Sequence, residues 1–583
     1  MTVLSSISDD RRVATVIDEP PATQLATWLM AALAGLSVAW PLLCAAILHG
    51  PRIIIGSLTG DSYHYLAIAR KAVISHIYTY DGVHVTNGFH PLWEYTIRGM
   101  FTVLHLQSHE GQAVAVMFAA LAATTLGVFL ASAAVIRMTN QYFLGLLLVP
   151  GLYYLGVGVQ VRNLWIWAAL DGMESAFSIL FGGVFFLVLS YYVGVSARRE
   201  FDVTRVYRAL GMVLPFLIMS RLDDVFLLPA FLLTLIFFEK SAIKRISAGL
   251  WIAAPSTIVI LCYLVYNKAT VGAAMPLSGG TKSGFVAFLS AYLTAAVHFP
   301  PILDLKNYLA RTPSNGEEIF ANSFRMVEVF YPMLAAGFGG LAIWKYRRKQ
   351  PSSSVLLAIC LYIVFKCGYN FLNVHPWHQA DWYYAFITLC LSVLGALALQ
   401  GSWQQLGKVP VAKCGIATVY VLLMLLTASQ YYAWIVYQSP KEPSNQLWQR
   451  KDELRQELLA HGVTGLINVD DGITAFLLDF PDLHGFAFAT DVQAQRAHRD
   501  GRMLSLAYSR NINTIVGFGY MTADNPPHSE TEIRQYLQSS PAGEIMRSDM
   551  NQFDFSLAYY DPVLKLPFIS FKPKPHGADS ATQ

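Results

Sequence analysis

The chain has 583 residues, of which 54% are hydrophobic and only 14% charged, and its formal net charge is +3. A soluble protein carries about 25% charged residues, so this composition cannot cover a surface in water. Uncharged apolar runs of about 20 residues make it a polytopic α-helical membrane protein, and nothing in the charge pattern points to nucleic acid.

In chain order, residues 1–24 are polar with no cleavable apolar core behind them, and read as a cytoplasmic tail. Windows suited to spanning helices follow at 25–48, 112–136, 141–159, 175–197, 246–266, 382–400 and 414–438, with shorter ones at 209–220, 225–238, 329–344 and 351–365. Arg11 and Arg12, Arg137, the group from Arg198 to Arg208, Lys240 to Arg245, Lys345 to Lys349, and Lys408 with Lys413 mark the short loops. Basic residues favour the cytoplasmic side. All these clusters share that side under two conditions. The apolar part of 92–106, which carries Glu94 and Arg98, must lie on the membrane surface, and 209–238 must be a hairpin turning at RLDD (Arg221 to Asp224). A single helix there would bury an Arg and two Asp at mid-membrane.

These conditions predict about eleven spans over 25–438, with large external loops at 49–111 and 267–328 and a short one at 373–381. From 439 the sequence turns charged and amphipathic, with KDELRQELLAHG followed by the apolar runs GLINV and INTIVGF. Residues 439–583 therefore read as a small extracytoplasmic α/β domain, and the sharp boundary near Ser439 predicts that the membrane part folds without it. The six cysteines lie in or beside apolar runs with no CxxC pair, which gives neither a disulfide framework nor a zinc site.

On this topology Asp61, Glu174, Arg221, Asp223, Asp224, Lys282, His375, His378 and Asp381 gather at one face of the membrane. Ionisable groups at membrane depth are costly, so their gathering suggests a site, although helix ends also hold charges for no other reason. Asp61 opens the helical pattern DSYHYLAIARKA, with Tyr65 on one of its faces. It can cap that helix, act as a general base, or do both. His90 and Trp93 suit a cavity lining or an aromatic surface helix. Glu174 can order the first loop or merely complement a helix dipole. Arg221 can meet a phosphate or pair with Asp223 or Asp224, and His375 and His378 can bind a metal or phosphate or simply mark the membrane boundary.

The stretch GDSYHYLAIARKAV followed by TNGFHPLWEY resembles the first external loop of the GT-C superfamily of membrane glycosyltransferases, near its bacterial arabinofuranosyltransferase-like members. LDGMES (170–175), SRLDD (220–224), MPLSGGTKS (275–283) and, more loosely, INVDDG (467–472) continue the resemblance in the right order. It implies a GT-C-like enzyme of the cytoplasmic membrane, acting on its extracytoplasmic face. That enzyme moves a sugar from a polyprenyl-phosphate donor to a cell-envelope glycan, lipid or protein acceptor, with inversion. It also implies that Asp61 is the catalytic carboxylate; many members carry two adjacent acids here, whereas Gly60 precedes Asp61 in this chain. Arg221 and Lys282 are then the cations for the donor phosphate, with a divalent metal left open. The rival readings are a lipid-linked-sugar transporter or flippase, which should show broken helices or repeats near mid-bilayer, and a non-catalytic glycan-binding membrane protein.

Overall fold

The computed structural model describes residues 21–154, 170–192, 203–278, 316–346, 350–373, 381–406, 410–469, 472–486, 489–518, 521–540 and 542–575. Each of the eleven predicted windows carries a helix. In chain order these are α1 (Pro21–His49), α4 (His109–Thr139), α5 (Tyr142–Leu146) with α6 (Leu148–Tyr154), α7 (Ser175–Ser190), α8 (Val203–Ser220), α9 (Leu227–Phe238), α10 (Ala242–Thr270), α11 (Gly316–Tyr346), α12 (Gln350–Asn373), α13 (Ala385–Leu406) and α14 (Pro410–Ala433). Among the described residues seven helices are long and apolar enough to cross a membrane, which makes the chain a multi-pass membrane protein. The other four windows hold shorter or more polar helices.

Local structure is compatible with both conditions. A 3₁₀ turn over Leu222–Phe226 separates α8 from α9, so the RLDD stretch sits at a corner and not inside one helix. The surface segment is α3 (Pro91–Val103), whose 13 residues are too few to span. Before it, α2 (Ser62–Ser75) rises from Asp61 and ends at His76, which takes the left-handed conformation with φ 63°. The tightest pairing in the bundle is α4 against α7. A Cβ on Gly127 would strike the Ile179 carbonyl, and one on Gly183 would strike Gly127 itself. Small residues that let backbones meet are a recurring means of packing helices in membranes.

Beyond α14, a helix α15 (Pro443–Ala460) leads into a five-stranded sheet of β1 (Leu466–Asn468), β2 (Asp482–His484), β3 (Thr514–Val516), β4 (Phe553–Asp561) and β5 (Leu566–Pro573). The order is β2-β1-β3-β5-β4; the first three strands are parallel, and β5 joins β3 and β4 antiparallel. Helices α16 (Ile473–Leu477), α17 (Val492–Asp500) and α18 (Met503–Ser509) make the crossovers that parallel strands require. Helices and strands therefore alternate in this C-terminal unit, with an antiparallel pair at one edge of its sheet.

Its independence is another matter. One continuous apolar core runs from the membrane helices through α2 into Leu447, Trp448, Phe476, Val516 and Phe568 of the C-terminal unit. A second core, around Ile467, Leu483 and Ile515, belongs to that unit alone. Because the first is shared, removing the C-terminal unit exposes the face of α2. The expectation that the membrane part folds without it therefore meets a physical objection the sequence did not display.

Candidate functional site

The site is assembled where α2, α3 and the LDGMES turn meet the corner between α8 and α9. Gly172 makes the turn possible: its φ is +84°, and an added Cβ would run into Leu58. The turn is held from two sides, as Trp93 Nε1 donates to the Gly172 carbonyl at 2.9 Å and the Thr59 amide donates to the Asp171 carbonyl at 3.3 Å. Trp93 is fully buried, so it braces this turn and does not face an open cavity.

Glu174 stands at the centre. Its carboxylate accepts from the Tyr65 hydroxyl at 2.9 Å and from Arg221 Nη1 at 2.5 Å, and His90 Nε2 lies 3.5 Å away. It stands at the N-cap of α7 without a side-chain cap bond, so its hydrogen bonds go to Tyr65 and Arg221 around it and not to that helix. Burial, followed by the neighbouring Glu174 charge, pushes the Tyr65 hydroxyl well above its ordinary range and keeps it a donor. The backbone amide of Leu222 donates toward His90 Nδ1 at 3.5 Å, which leaves Nε2 to carry the proton toward Glu174.

Arg221 is 1% exposed. Its Nε meets Asp223 at 3.0 Å, its Nη1 reaches Glu174 and the Trp382 carbonyl, and its guanidinium lies 4.2 Å from the Tyr383 ring centre. The ion-pair alternative weighed for Arg221 is the one its surroundings carry. Lys366 completes the network from α12, at 2.5 Å from Asp224 and 3.4 Å from Asp223, with the Tyr362 hydroxyl 2.5 Å from Asp224. Burial raises the cost of charge on Asp223, but facing Arg221 and Lys366 overcomes it and holds the carboxyl below its ordinary range.

Asp61 sits at the edge of this lattice, partly exposed, with no side-chain bond to the start of α2. The capping alternative therefore has no hydrogen bond behind it. Its electrostatic neighbour is Asp171, which is fully buried. Burial first, then the Glu174 and Asp61 charges, push the Asp171 carboxyl well above its ordinary range, although the Met173 amide bonds one oxygen at 2.9 Å. Asp171 Oδ2 is buried with no hydrogen-bond partner. The Asp61 charge thus adds to the cost of ionising the buried Asp171.

A second acidic group, Asp81, His84 and Asp491, has ligand atoms within 4.8 Å of one another. Arg510 already occupies it, at 3.0 Å from Asp81 and 2.6 Å from Asp491, and His84 Nδ1 lies 2.6 Å from Asp81. The guanidinium supplies there the positive charge that a metal would bring.

The structure thus brings Tyr65, His90, Trp93, Glu174, Arg221, Asp223 and Asp224 into one lattice, with Asp61 beside it. Lys282, His375 and His378 lie outside the described residues, as do Asp470 and Asp471 of INVDDG. The approach to Lys282 is described: Asn87 Oδ1 accepts from the Leu277 amide at 3.2 Å and Gln495 donates to the Leu277 carbonyl at 3.2 Å. Sequence reasoning missed Asp171 and Lys366. Asp171 is in plain view as the other acid of LDGMES, and Lys366 as a lone cation at the end of an apolar run, which must find an acid.

No family model and no curated protein matches the sequence. Among solved structures the chain is similar to the Archaeoglobus fulgidus oligosaccharyltransferase in its apo form, with 11% identity and a TM-score of 0.47 over 95% of this chain and 74% of that one. It is also similar to ArnT from Cupriavidus metallidurans bound to undecaprenyl phosphate, with 12% identity and a TM-score of 0.42 over 91% and 97% of the two chains.

Proposed function

We propose that the chain is a membrane glycosyltransferase of the GT-C kind, with Asp61 as general base at the extracytoplasmic face of the cytoplasmic membrane. The observation that supports this reading is a partly exposed carboxylate at a helix start, in the field of the buried acid Asp171 and next to a lattice of ion pairs. Fixed dipoles and charges around a reacting group are the arrangement catalysis favours. A transporter needs its polar residues near mid-bilayer, whereas Asp61, Asp171 and Arg221 lie at turns just before helices.

The donor is a polyprenyl-phosphate sugar. Its phosphate is already a good leaving group, so the base carries the larger burden. Asp61 removes the proton of the acceptor hydroxyl as that oxygen forms its bond to the anomeric carbon. The bond from that carbon to the phosphate oxygen breaks, and the lipid phosphate leaves with the electron pair. One displacement inverts the configuration. Lys282 is assigned the departing phosphate, with Arg221 behind it as a charge fixed in the wall of the site. A divalent cation, if used, would be held by Asp61 and Asp171.

The test is transfer by the purified full chain in lipid, using a synthetic polyprenyl-phosphate sugar. Asp61→Asn removes the proton acceptor while keeping size, and turnover should fall by roughly 10²–10⁴-fold with expression unchanged. Near-normal transfer by this variant would take Asp61 out of the mechanism.

A further inference from the structure

Away from the lattice, a cavity of about 180 Å³ opens between the end of α1, the 3₁₀ turn Pro51–Ser57 and the start of α15. His49, Arg52, Ile53, Asn445, Trp448 and Gln449 line it, and none of them belongs to the Glu174–Arg221 network. Arg52 is the cation of its lining. Arg52 is 54% exposed, and the acid it faces, Glu110, is 3.8 Å away, beyond hydrogen-bond reach. The Asn445 amide is held by the Ser439 carbonyl, and His49 Nε2 meets the Tyr432 hydroxyl at 3.0 Å. Those bonds fix the walls and leave the guanidinium as the charge over the opening. At about 30 Å³ of liquid volume per water, the space equals roughly six waters, enough for a phosphodiester.

The surfaces beside the cavity indicate where its ligand comes from. Ile47 and Leu48, just before the cavity, are 80% and 68% exposed, and Tyr437 beyond α14 is 64% exposed. These belong to two candidate spans, Gln24–His49 and Cys414–Lys441, which pack together. The cavity therefore sits where two apolar, outward-facing helices end and basic residues begin. That sequence of surfaces matches a phospholipid, with acyl chains along the helices and phosphate at the Arg.

We propose that this cavity binds the phosphate headgroup of an anionic phospholipid through Arg52. The site also bears on the architecture, since Trp448 in its wall donates its indole N–H to the Tyr63 hydroxyl of α2 at 2.8 Å. A headgroup seated there braces the join between the membrane helices and the C-terminal unit.

The experiment titrates the full chain in detergent with dihexanoylphosphatidylglycerol and counts bound lipid by native mass spectrometry. One lipid should bind, and Arg52→Ala should weaken it about tenfold, the scale of losing one juxtamembrane basic contact. Arg52→Lys should keep most of the affinity, because the charge stays; Arg52 is exposed, so neither change threatens folding. Two further arms identify the source. Inorganic phosphate that displaces the lipid at equal concentration would make this a free-phosphate site, and dihexanoylphosphatidylcholine that binds equally would remove the requirement for net negative charge. Either result, or equal binding by Arg52→Ala and the parent chain, overturns the proposal.

Discussion

Of the ion networks that join distant parts of this chain, two differ instructively in one physical respect. In the Glu174–Arg221–Asp223–Lys366–Asp224 lattice the pairs Arg221–Glu174 and Lys366–Asp224 are sealed, at 0–1% side-chain exposure, and only Asp223 at the rim is open, at 17%. The network that clasps α2 to the C-terminal unit is half open. There Arg70 bonds both oxygens of Asp479 at 3.0 Å with side chains 15% and 33% exposed, and His109 approaches the same acid at 3.1 Å. In the two sealed pairs each charge depends on its partner, because water cannot take the partner's place. In the clasp, water and salt stand ready as substitutes. Equal distances therefore mean unequal consequences.

The largest expected effect comes directly from that difference. Lys366→Met removes one cation from the lattice and leaves Asp224 and Asp223 facing each other. Stranding a buried charge costs about 3–5 kcal/mol, read as a fall in the thermal midpoint of the protein in lipid nanodiscs. Combining it with Asp224→Asn should recover most of that loss. A single variant that melted like the parent would show the lattice to be as open as the clasp.

The next effect concerns a buried acid in neither network. Glu94 in α3 is fully buried, and neither of its oxygens has a hydrogen-bond partner. Burial pushes its carboxyl well above the ordinary range, with Arg98 opposing. A raised folded-state pKa gives stability that is complete below the unfolded value of about 4.3 and is lost as pH rises toward the folded one. Glu94→Gln should leave the midpoint unchanged near pH 4 and raise it at pH 8, by about 1–3 kcal/mol, the scale of an unsatisfied buried polar group. An identical pH profile in both proteins would mean that Glu94 is solvated.

The same contrast decides how much of the molecule is legible in its sequence. Seven spans are legible because a bilayer imposes a single requirement, about 20 apolar residues, and among the described residues seven helices meet it. The corner at RLDD is legible because burying Arg221, Asp223 and Asp224 inside one helix is prohibitive. Arg221's partners are half visible: Asp223 is two residues away, but Glu174 is 47 residues away and on another loop. Lys366 escapes notice because the apolar window ends one residue before it. The clasp is not legible at all. Arg70 and Asp479 lie 409 residues apart, and each looks like an ordinary surface charge until the shared core around Tyr63, Trp448 and Phe476 brings them together. Boundaries marked by composition show where a chain leaves the membrane, not whether the emerging domain packs back onto it.

The smallest effect tests that clasp. Asp479→Asn removes one acid from a partly exposed pair, so the loss should be about 0.2–1 kcal/mol and should shrink further in high salt. Burial works against ionisation of Asp479, but the His109 and Arg70 bonds outweigh it and hold its carboxyl well below the usual range. A lowered folded-state pKa gives stability that is present above the unfolded value of about 3.9 and is lost as pH falls through the folded one. The parent chain and Asp479→Asn should therefore differ at pH 7 and converge in strong acid. Hydrogen exchange at the amides of α2 reads this locally, since the clasp holds α2 and not the whole bundle: exchange should quicken over Ser62–Ser75 in the variant while α4 and α7 stay protected. A loss as large as that of Lys366→Met, or one insensitive to salt, would mean that Asp479 is sealed from water and that the two networks are of one kind.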